Sequence, residues 1–101
     1  MHLDINGIDN LGEPTDEVIG EVVQTLGNGF MILSQKNHEY VQVAAMRSGG
    51  YDLEYRDGDC NKHYRATRED FSPGEITTIF QRYHHHDPEW NSGIEWERLT
   101  F

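Results

Sequence analysis

At 101 residues the chain has the size of a single domain, which buries roughly two thirds of the surface its unfolded form exposes; two domains would each be too small to hold a core. The hydrophobic fraction of 36% is modest, but two Trp, five Tyr and four Phe bring side chains that stabilise a core out of proportion to their number, which argues against disorder throughout. The net charge of −10 repels phosphate backbones, so direct nucleic-acid binding is not expected and a basic protein partner is favoured.

The charge is unevenly spread. Residues 1–30 carry six acids and no Lys or Arg, residues 31–68 carry five acids and six bases, and residues 69–101 carry seven acids and two bases. No apolar run approaches the length needed to cross a bilayer, and His2-Leu3-Asp4-Ile5 lacks the basic segment and apolar stretch of a signal peptide. A single Cys60 cannot form an intramolecular disulfide, which fits a reducing compartment. These features together predict a cytoplasmic protein with no membrane partner.

In chain order, Leu3 and Ile5 alternate with polar neighbours as a short first strand, Asn6-Gly7 weakens that pattern, and Asp9 to Glu13 reads as loop. Thr15 is the predicted N-cap of a first helix, with Asp16 and Glu17 in the first turn where the helix dipole favours acids. Val18, Ile19, Val22, Val23 and Leu26 form its apolar stripe, and Gly27 ends it. Phe30 to Leu33 and Tyr40 to Met46 read as strands joined by a hairpin loop, Gln35-Lys36-Asn37-His38. After a turn at Ser48-Gly49-Gly50, Tyr51, Leu53 and Tyr55 alternate with Asp52, Glu54 and Arg56, and Asp57-Gly58 is a hairpin signal leading into a strand from Cys60 to Ala66. Ser72-Pro73-Gly74-Glu75 combines an N-cap, Pro at the first helical position and Glu three residues after the cap. Ile76, Ile79, Phe80 and Tyr83 give that second helix its buried face, and Pro88 limits it to about Asp87. Ile94 and Trp96 alternate with Glu95 and Glu97 as a final strand. The expected fold is α+β, an antiparallel sheet of about five or six strands with two α-helices on one face, in one domain spanning residues 1–101.

Candidate chemistry is sparse. Consecutive helical residues point about 100° apart, so His84, His85 and His86 are not expected to converge on one ion, and an exposed, frayed helix end is the simpler reading. Cys60 and His63, three apart in a regular strand, would face opposite ways, unsuited to a thiol–base pair or a metal. Gly27-Asn28-Gly29 follows a helix and precedes a strand, the reverse of a phosphate loop. No catalytic, cofactor-binding or metal-binding residue is therefore assigned, and the chain is not read as an enzyme. Asp52, Glu54 and Arg56 share one strand face, as do Glu95 and Glu97 on the last strand. This face is either a solvated outer surface or a partner-binding one, with Trp90 as an additional candidate anchor beside its role of packing across the end of the second helix.

The segments Tyr40-Val41-Gln42-Val43-Ala44, Gly50 to Gly58, His63-Tyr64-Arg65-Ala66, Asp87-Pro88-Glu89-Trp90 and Glu95-Trp96-Glu97 resemble a group of small, acidic, uncharacterised bacterial proteins, over about residues 30–98. No activity and no catalytic residue carries over from that group. In size and acidity, though not in any motif, the chain also resembles the immunity proteins of bacterial toxin systems, which implies an inhibitor of a basic toxin or effector; the outer sheet face and adjoining loop supply the expected partner-binding residues, Asp52, Glu54, Arg56, Glu95, Glu97 and Trp90. The alternative expectation is a small-ligand-binding or enzymatic domain with a pocket between sheet and helices. An exposed first or last strand leaves a homodimer open.

Overall fold

The computed structural model describes residues 1–10, 12–36 and 38–100. Its sheet has seven strands, all antiparallel, in the order β2-β1-β3-β4-β5-β6-β7, comprising β1 (His2–Ile5), β2 (Ile8–Asn10), β3 (Phe30–Lys36), β4 (Glu39–Ala45), β5 (Tyr51–Asp57), β6 (His63–Ala66) and β7 (Trp96–Arg98). Helices α1 (Asp16–Gln24) and α2 (Pro73–His84) lie on one face. Between them, Leu3, Met31, Leu33, Val41, Val43 and Leu53 of the sheet meet Ile19, Val23, Ile76, Ile79, Phe80 and Tyr83 of the helices in one buried cluster. The α+β class holds, with more strands than the sequence predicts.

The additional strand arises at Asn6-Gly7, where both residues take positive φ, 53° and 81°. Such a pair matches the twist of a two-residue hairpin, so the chain turns straight back and Ile8 pairs with Ile5. The segment expected to be loop is therefore partly strand. Because β2 covers β1, the open edges of the sheet are β2 and β7 rather than the first strand. Three other boundaries move. The β3 strand runs on through Gln35 and Lys36, shortening the expected hairpin loop, whose Asn37 lies outside the described residues. A 3₁₀ turn at Cys60–Lys62 precedes β6, so the strand-parity argument for Cys60 and His63 does not apply; the Cys60 side chain also lies outside the described residues. The last strand begins at Trp96, one residue after Glu95.

Both helix starts match their sequence signals. Thr15 Oγ1 accepts from the Val18 amide at 3.2 Å. At α2 the capping box is complete, the Glu75 amide donating to Ser72 Oγ at 3.1 Å and the Ser72 amide to Glu75 Oε1 at 3.0 Å. The second helix stops earlier than Pro88 requires. His86 adopts φ 58°, the His86 amide donates to the Tyr83 carbonyl and the Asp87 amide to the Arg82 carbonyl, each at 3.0 Å, and this paired arrangement closes the helix end. The helices run antiparallel, with Gln81 Nε2 donating to the Asp16 carbonyl at 3.1 Å, so the end of α2 sits against the start of α1. Among the described residues, no helix is long and apolar enough to cross a membrane.

Candidate functional site: the open sheet face

Strand register assigns the side of the sheet that neither helix covers. Pairing of Asp4 with Asp9 and Ile32, Ile32 with Gln42, Gln42 with Glu54, Glu54 with Arg65 and Arg65 with Glu97 runs one row of side chains across the open face, because directly paired residues point the same way. Phe30, Ala44 and Asp52 form a row beside it, and Ser34, Tyr40, Arg56 and His63 another. An apolar strip, Phe30, Ile32 and Ala44, thus lies between carboxylates on both sides. Phe30 is 40% exposed and, with Ile32 and Ala44 beside it, gives the face an apolar centre.

The expected partner residues divide into two groups. Asp52, Glu54 and Arg56 are on this face but only half-exposed, which corrects the picture of a freely solvated surface. Glu54 Oε1 lies 2.9 Å from Nε2 of His63, itself 9% exposed and set edge-on to Tyr40 at 6.1 Å between ring centroids. Glu97 holds Arg65 at 3.1 Å, and Glu95 is exposed just outside the sheet, its carbonyl accepting from the Thr67 amide at 3.0 Å. Trp90 is not brought to this face. It packs on the helix side, edge-on to Tyr55 at 4.9 Å and to Tyr83 at 5.0 Å.

Two groups of the face each have a buried atom with no hydrogen-bond partner among the described residues, Asp52 through Oδ1 and Arg56 through Nε. Burial, the Glu54 charge beside it and the hydrogen bond that Glu54 offers to its protonated form hold the Asp52 carboxyl above the ordinary aspartate range, against the attraction of Arg65. A carboxyl whose folded-state pKa is raised contributes stability at low pH that is lost as the pH rises through that value. Asp52→Asn removes this cost and supplies an amide donor, so its melting temperature should exceed that of wild type at neutral pH. The gain should shrink towards zero as the pH falls below about 4. Melting curves over a pH series check this, and an equal or lower midpoint at neutral pH would refute it.

Two features lay outside the sequence reading. The consecutive residues His84 and His85 both reach the start of α1: His85 Nε2 lies 2.7 Å from Asp16 Oδ2 and His84 Nε2 3.2 Å from Glu13 Oε1. This corrects the expected frayed end, since His84 and His85 are tied to the start of α1 by Glu13 and Asp16 while His86 is exposed. A groove of about 360 Å³ lies between α2 and the 90–94 loop, lined by residues including Arg68, Phe71, Glu75, Ile79 and Ile94. It lies beside α2, while a smaller pocket of about 150 Å³ lies between the sheet and the end of α2, lined by residues including Gln35, Glu39, Tyr55, Asp57, Tyr83 and Trp90. No family model, curated protein or solved structure matches the chain.

Proposed function

We propose that the chain is an acidic protein-binding module whose open sheet face receives a basic partner, acting as an immunity or inhibitor protein that neutralises a basic toxin or effector in the bacterial cytoplasm. The observation that carries this reading is the half-buried Asp52 carboxyl, with one oxygen lacking a donor, beside the apolar strip of Phe30 and Ile32. An arginine or lysine of a partner would supply the missing donor and favour the ionised form of Asp52, while apolar partner atoms cover Phe30. Asp4, Asp9, Asp52, Glu54 and Glu97 outweigh Arg56 and Arg65 on the face, a balance that steers a cationic surface inward. A toxin acting on nucleic acid needs such a cationic surface, so one acidic face can occupy its site. A second copy pairing along the open edge of β2 or β7 would leave the face free.

The test uses the chain as bait in a bacterial lysate, identifies the retained protein, and titrates it at two ionic strengths. The expected partner is basic, and its affinity falls with salt. Asp9→Lys combined with Glu97→Lys, both at exposed positions, should leave the fold intact, since exposed pairs contribute about 1 kcal/mol or less. It should weaken binding about tenfold or more at low salt. Glu17→Lys with Glu21→Lys on α1 serves as the control and should weaken it much less. Undiminished binding by the folded sheet variant would refute the reading.

A further inference from the structure

We propose that Asp16, His84 and His85 form a zinc-class metal site that clasps the start of α1 to the end of α2. It is independent of the sheet face and rests on a different observation. His84 Nδ1 and Asp16 Oδ1 are both buried, face each other at 3.5 Å, and have no hydrogen-bond partner among the described residues. In the tautomer with the His84 proton on Nε2, shared with Glu13, Nδ1 would turn a lone pair towards the Asp16 carboxylate, where a cation between the two could take both as ligands. Tetrahedral ligands placed 2.0–2.1 Å from zinc stand about 3.3 Å apart, close to the separation found.

His85 offers a third donor once its Nε2 exchanges the 2.7 Å hydrogen bond to Asp16 Oδ2 for the ion. One ligand atom from each of Asp16, His84 and His85 can be chosen so that all lie within 4.8 Å of one another, and imidazole nitrogen with carboxylate oxygen is a donor set suited to zinc, cobalt or nickel. Glu13 would then play the part of the outer carboxylate that orients a metal-bound histidine through its other nitrogen. His85 is 60% exposed and His84 17%, so the ion could enter from solvent and keep a water as its fourth ligand. The convergence depends on the tight end of α2, where His84 and His85 reach α1 and the helix closes at His86, with φ 58°.

The experiment titrates Zn²⁺, and Co²⁺ as its spectroscopic substitute, into the chain carrying no purification tag. Wild type should take up one equivalent, show the intense visible absorption of four-coordinate cobalt, and melt at a higher temperature with Zn²⁺. His85→Ala, at an exposed position, and Asp16→Asn should each lower affinity at least tenfold while remaining folded. Glu13→Gln should lower it about tenfold, and His86→Ala should leave it unchanged. Absence of stoichiometric binding by wild type, octahedral cobalt spectra, or loss of binding in His86→Ala with retention in His85→Ala would overturn the proposal.

Discussion

Phe80→Ala should lower stability by about 3–5 kcal/mol, the range for removing a fully buried aromatic ring. Phe80 is 0% exposed and is the largest of the fully buried side chains. It belongs to the stripe Ile76, Ile79, Phe80 and Tyr83 by which α2 joins the single cluster under β1, β3, β4 and β5. A domain of this size has a total stability of about 5–15 kcal/mol, so the variant would retain little margin, and its melting midpoint should fall by more than about 12 °C. Urea and thermal unfolding measure this directly. A loss below about 1 kcal/mol would mean that α2 does not pack on the sheet by this face.

Gly50→Ala should cost about 2–4 kcal/mol, although the residue lies in a connection rather than in the core. A Cβ there would stand 2.4 Å from the Glu69 carbonyl oxygen and 3.2 Å from its carbon, and backbone cannot rotate aside as a side chain can. That same oxygen accepts from the Tyr51 amide at 2.8 Å, so moving it also breaks the bond that ties the segment before α2 to the start of β5. Overpacking of about 1–3 kcal/mol and a hydrogen bond of about 1 kcal/mol together give the estimate. Denaturant unfolding and the exchange rate of the Tyr51 amide both report on it. A change within about 0.5 kcal/mol would show that the 67–71 segment does not cross the sheet end as described.

What was legible in the sequence was local. The capping box at Ser72 and Glu75, the N-cap at Thr15 and the alternation from Tyr51 to Arg56 each depend on residues a few positions apart, and each appears in place. Strand β2 was hidden because its signal is one apolar residue, Ile8, which is 73% exposed and gives no inward period; only Asn6-Gly7 marked the hairpin. The approach of His84 and His85 to Asp16 spans 68 and 69 positions of sequence and depends on the antiparallel placement of two helices, which no local pattern encodes. The half-burial of Glu54 was equally hidden. Alternation assigns it to the outer face, but the packing of His63 and Tyr40 around it comes from neighbouring strands brought together by register.

The proposed binding surface is the open sheet face and not the helix side. Amide and methyl chemical-shift mapping of the chain, with and without its captured partner, tests it most directly. The largest shifts should fall on Phe30, Ile32, Gln42, Asp52, Glu54 and Glu97. Shifts concentrated instead on Thr78, Arg82, Trp90 and Ile94, around the groove beside α2, with the sheet face unmoved, would contradict it.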